Sequence, residues 1–333
     1  MGAGETNEAL GRSISLTMAA ELKALDVAPE VPGGTSIGKV GDAAAAVEMG
    51  ATKVQMLFAD GNGVAEDAAA SVLKDFHVNV ITFVAYAQSA MGSEGKTFDA
   101  GLKAAACAVS KTSAALVAAA TSSAAQKNAL KDKLAEVWGA CRAITKLPKN
   151  GRAAISKALM NSATFIKDVS NELAELGQDE NGDEGDDEFK AVPLAERDED
   201  DMRFDDNDFD EDEMRVAKQA AGFAAASFQF IRAVVAPVVR GTATDVHALE
   251  RVLDACQGFQ RGIEEVGAGV YPPQDTEEMG VYAGQAIDKA REMGVGVVEA
   301  GGVEGTEEAV AALEGAYQQL REVLEAAKVE NEE

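Results

Sequence analysis

Tryptophan occurs once in this chain, histidine twice and cysteine three times, and aromatic residues make up only 5% of it. Each scarcity excludes something. The apolar share of 47% is mostly alanine, which suits closely packed helices and not sheets built from β-branched and aromatic side chains. Cys107, Cys141 and Cys256 lie far apart with no CxxC or CxxH pair. That spacing excludes a disulfide framework and a zinc site, and predicts buried thiols in a reducing compartment. His77 and His247 have no cysteine, serine or carboxylate at a catalytic spacing. No G-x-S-x-G, HExxH or dinucleotide fingerprint exists, and GVGVVEAGG has the wrong glycine spacing. The expectation is a protein without catalytic residues, cofactor or metal.

Positive charge is also in short supply, with 30 basic residues against 57 acidic ones and a formal net charge of −27. Direct binding to nucleic acid or an anionic membrane needs a basic patch that overcomes this repulsion, and no such cluster occurs. Basic or neutral protein partners fit better. The alanine-rich run 104–125 is broken by Lys111 and by several Ser and Thr, so no membrane span is expected there. MGAGETNEAL has neither a basic start nor an apolar core, so no signal peptide is expected.

What is present begins with an acidic segment. Residues 178–213 carry 19 acidic and 3 basic side chains, a net of −16, leaving −11 for the other 297. Its few apolar residues have no period and bury too little to offset chain entropy, which predicts a disordered linker. On either side the apolar spacing is helical. Leu130, Leu134, Val137, Cys141 and Ile144 form one stripe, and Pro148 ends it. Ile155, Leu159, Ile166, Val169, Leu173 and Leu176 form the next, with Ser162 in the vacant slot. Further helices are predicted over 5–27, 36–59, 65–91 and 97–125, and over 211–240, 243–270, 275–299 and 305–328. The fold class is therefore all-α: two antiparallel helical bundles, 1–177 with five or six helices and 214–333 with four, joined by the acidic linker 178–213.

Individual motifs reduce to structure. GGTSIGKV (33–40) matches GxxxxGK, but Val40 stands where a phosphate loop needs Ser or Thr, so a loop entering a helix is expected. Asp179, Asn181 and Asp183 have calcium-loop spacing, but Glu184 replaces the turn glycine and Lys190 the bidentate Glu. Arg251-Val-Leu253 matches a short cyclin-docking pattern, yet Leu253 belongs to a helix stripe. Tyr271, before two prolines, reads as the aromatic plug of a helix end. Trp138 is expected to wedge the junction between the helices on either side of Pro148.

The segment 137–176, VWGACRAITKLPKNGRAAISKALMNSATFIKDVSNELAEL, carries a further signal. It joins a V-W-x-A-C helix end, a Leu-Pro break, an alanine-rich restart and an N-x-x-x-F-I-K-D segment. With GKTFDAGLKAAACAV (95–109), the acidic run into DFDEDEM, and LERVLD to VYPP (249–273), it resembles the cyclin-D-binding, or Grap-and-cyclin-D-interacting, protein family. The resemblance spans most of 45–177 and 205–275. It implies an all-helical, non-enzymatic regulator of the nucleus and cytoplasm that restrains the cell cycle. The implied partner is a D-type cyclin or a helix-loop-helix protein. Candidate partner-binding residues are Asn161, Phe165, Lys167 and Asp168, with Asp205, Asp206, Asp208 and Asp210 from the acidic run. Two other readings stand beside it: a vinculin- or catenin-like helical-bundle scaffold, and an acidic chaperone for basic proteins that works through residues 178–213.

Overall fold

The computed structural model describes residues 3–26, 34–59, 64–122, 129–176, 209–302 and 305–330. Among them are ten α-helices, one 3₁₀ turn and no strand, as the sequence predicts. The chain divides into two compact units, Met1–Ile155 and Ser156–Glu333.

The first unit holds α1 (Ala3–Glu21), a 3₁₀ turn (Leu22–Asp26), α2 (Ile37–Phe58), α3 (Glu66–Ala90), α4 (Lys96–Thr121) and α5 (Leu130–Ile144). Helix α2 packs on α3 and α5, and α4 packs on α1, α3 and α5. All five residues of the α5 stripe are buried. Ser36 caps α2 by accepting a hydrogen bond from the Lys39 amide, so GGTSIGKV does serve as a helix entrance. Helices α2 and α3 approach closely at Gly50, where a Cβ would lie 2.9 Å from the Phe76 ring. The α1–α4 seam is held by hydroxyls, with Ser15 donating to the Ala114 carbonyl and Ser110 to that of Met18.

Helix α6 (Gly151–Leu176) starts in the first unit, where the Asn150 side chain accepts from the Ala153 amide, and runs on into the second. The units thus part at Ile155, whereas the stripe alone suggests a bundle reaching residue 177. The reason is visible in the contacts of α6 beyond that point. Val169 and Leu173 lie against Gly267, and Ser162 hydrogen-bonds the Cys256 thiol. A stripe fixes which face is buried but not which neighbour buries it.

The second unit adds α7 (Glu211–Arg240), α8 (Val246–Ala268), α9 (Thr276–Glu299) and α10 (Thr306–Glu330). Helix α9 packs along both α8 and α10, and α10 packs along α7. Two glycines make the α8–α9 seam close. A Cβ on Gly262 would meet that of Ala286 at 2.8 Å, and one on Gly296 would meet Val252 at 2.6 Å. Gly296, one of the glycines that weaken α9 as an isolated helix, is therefore part of its packing surface. Asp210 opens α7 through a capping box, accepting from the Asp212 and Glu213 amides while the Glu213 carboxylate accepts from the Asp210 amide. Pro237 is accommodated in the last turn of α7, and Gly241, at φ 81°, ends the helix.

By length and composition alone, α3, α4 and α7 each meet the requirement for crossing a bilayer. For α4 this corrects the expectation that the alanine-rich run falls short. Its apolar face, including Leu102, Val109, Leu116 and Val117, is buried among the other helices of the first unit.

Candidate functional site

Four of the candidate residues fall on α6, and the helical turn of about 100° per residue sorts them. Asn161, Phe165 and Asp168 share one face, together with Glu172. Lys167 projects from the opposite side. Asn161, Lys167 and Asp168 are exposed, while Phe165 is half-buried. Of the acidic-run candidates, Asp205, Asp206 and Asp208 lie outside the described residues, as do the calcium-like stretch and most of the 178–213 segment. Asp210 is described, and its carboxylate is committed to capping α7.

The Phe165 face borders a groove of about 560 Å³ between α6 and α8. Phe165, Val169 and Leu173 line one wall, and Gly267 and Ala268 the other. The groove arises from a small offset in the α6 stripe. Ile166, Ser170 and Leu173 turn fully inward, leaving Val169 half-exposed at the edge. Opposite it, the absence of a side chain at Gly267 keeps the floor low. Asp168, Glu172 and Glu264 stand along the rim, and no Lys or Arg is among the lining residues.

Tyr271 closes one end. Its hydroxyl donates to a Glu172 oxygen at 2.7 Å, and this bond, with burial and the nearby negative charge, pushes the phenol up to about 12. Tyr271 thus does more than plug the end of α8: it holds a carboxylate at the groove mouth. Three residues on, the Gln274 amide donates to the Glu213 and Val270 carbonyls and ties the start of α7 to this end of the groove.

Of the residues lining this groove, Phe165 and Asp168 are among the candidates read from the sequence, and Glu172, Glu264, Ala268 and Tyr271 are not. For Glu172 a signal existed, since it sits seven residues after Phe165 on the same helical face. For the α8 residues none did, because only the tertiary fold sets α8 beside α6.

The remaining features are structural. Leu253 is buried and Arg251 pairs with Glu299, so the Arg251-Val-Leu253 motif is a packed helix segment. Cys141 and Cys256 are buried, with thiols pushed by desolvation up to about 12 and about 11, and Cys107 is half-buried. Burial lowers the pKa of His77 despite nearby Glu21, and its Nε2 has no hydrogen-bond partner among the described residues. Trp138 corrects the expected placement. Its indole donates to the Thr52 hydroxyl of α2 at 3.3 Å, and Arg142 lies over the ring at 5.5 Å while pairing with Glu48. It is half-buried on the α2–α5 seam.

Residues 39–179 match the N-terminal domain described as Grap2 and cyclin-D-interacting, and residues 183–289 match the C-terminal domain of that description. The chain belongs to the Grap2 and cyclin-D-interacting family. A search among curated proteins finds no match. The two family domains take in most of α2 through α6, then α7, α8 and part of α9, so the matched region is longer than the resemblance read from motifs. They also meet at a different point from the compact units. Helix α6 is the last element of the N-terminal family domain, yet beyond Ile155 it counts with the second unit. The groove consequently draws one wall from each family domain.

Proposed function

We propose that this protein works by binding and not by catalysis, as a regulator that engages a D-type cyclin in cytoplasm and nucleus and so restrains cell-cycle progression. Membership of a family described by its interaction with Grap2 and cyclin D carries this reading. Its physical support is the use to which the apolar stripes are put. Most of the large apolar residues on the helix stripes among the described residues are buried in helix packing.

The test is direct. Full-length protein immobilised on a surface should retain purified D-type cyclin saturably, with the cyclin's competence checked by its kinase partner. Competent cyclin that passes unretained would defeat the reading, and retention of a helix-loop-helix protein alone would give the binding role a different partner. Fractionation of the tagged chain should recover it from both compartments; confinement to a single one contradicts the proposed localisation.

A further inference from the structure

We infer that the α6–α8 groove is the docking surface and that it accepts an amphipathic helix with bulky apolar side chains on one face and Lys or Arg along its flanks. The inference rests on the binding role proposed above and adds the surface and the chemistry of the partner.

Three observations select this occupant. The first is backbone bookkeeping. Both walls are α-helices and not sheet edges, so the groove offers no open strand edge to an extended segment. A segment that fits must satisfy its own backbone, as a helix does. The second is shape. Phe165 to Leu173 spans about 12 Å of helix axis, two turns of an incoming helix, which matches anchors at i, i+3 or i+4, and i+7. Ala268, small and exposed, lets that helix approach α8 closely, as small residues do at helix crossings.

The third is charge. The apolar floor is bordered by Asp168, Glu172 and Glu264, with no basic residue among those lining it. Basic flanks would meet carboxylates on both sides, whereas an acidic helix would be repelled. Glu172 is positioned for this by the Tyr271 hydroxyl.

The test uses the full chain and a fluorescein-labelled 14-residue Leu/Lys amphipathic helical peptide, with the Leu/Glu version as control. Ala268→Trp fills the groove from an exposed position without changing net charge, and should weaken Leu/Lys binding at least tenfold at 0.15 M salt. The triple variant Asp168→Asn, Glu172→Gln, Glu264→Gln should do the same. Neutralising three remote acids, Glu307→Gln, Glu308→Gln and Glu322→Gln, should leave binding within twofold. If Ala268→Trp binds the peptide like the parent, or if the remote triple weakens binding as much as the groove triple, the groove is not the site. The same variants assayed with D-type cyclin separate the two claims. Cyclin binding lost together with peptide binding supports both. Cyclin bound equally by all variants retains the binding role and overturns the assignment of its surface. Peptide binding that depends on the groove, with cyclin never bound, retains the groove and defeats the cyclin reading.

Discussion

At the scale of single residues, the fold uses its rare side chains as seals. Trp138 covers the α2–α5 seam with one edge in water, so its indole emission should lie between the buried and fully exposed limits. Trp138→Ala should cost about 2 kcal/mol in urea unfolding, as expected for a large side chain only partly removed from water, and Trp138→Phe clearly less. Equal losses for the two would mean that the hydrogen bond to Thr52 outweighs the packing. Tyr271 makes a second residue-scale prediction. Its pKa is raised from 10.0 to about 12 by the bond to Glu172, so the phenol is bound more firmly in the folded state than in the unfolded chain. The stabilisation is complete below pH 10 and lost as pH climbs through 12. Ultraviolet titration should show a late tyrosinate that disappears in Tyr271→Phe and moves to lower pH in Glu172→Ala.

At the scale of elements, the two kinds of helical glycine should respond in opposite ways. Gly262 sits where α8 and α9 nearly touch, with the Ala286 Cβ and the Tyr282 carbonyl within 3 Å of an added methyl. Gly262→Ala should therefore force the helices apart and cost about 1–3 kcal/mol. Gly222, in α7, has nothing within 4 Å of the same position. Gly222→Ala should raise stability by about 0.4–1 kcal/mol through the lower entropy of the unfolded chain. Paired denaturation curves decide the point. The helices themselves were legible in the sequence because period and punctuation are local. Leu130, Leu134, Val137, Cys141 and Ile144 predict their own burial, Pro148 its break, and the acids before Met214 the start of α7. Which helix meets which was not legible. The α6 stripe looks the same whether α5 or α8 covers it, and Trp138 could be assigned a seam only once α2 was seen beneath it.

At the scale of the whole chain, family domains and compact units divide the sequence at different places, with α6 between the two divisions. A helix that belongs by descent to one half and by packing to the other makes the groove a product of both. Cutting the chain into 1–177 and 214–333, as the sequence alone invites, would put the two walls on separate fragments. The candidate site was half-legible for the same reason. Phe165 and Asp168 stand out in a local motif, while Glu264, Ala268 and Tyr271 acquire meaning only from the tertiary fold. The most direct measurement is amide hydrogen exchange of the intact protein with and without saturating D-type cyclin. Protection is predicted to concentrate in residues 161–176 and 260–271; unchanged exchange throughout, or protection confined to helices of the first unit, would contradict the account.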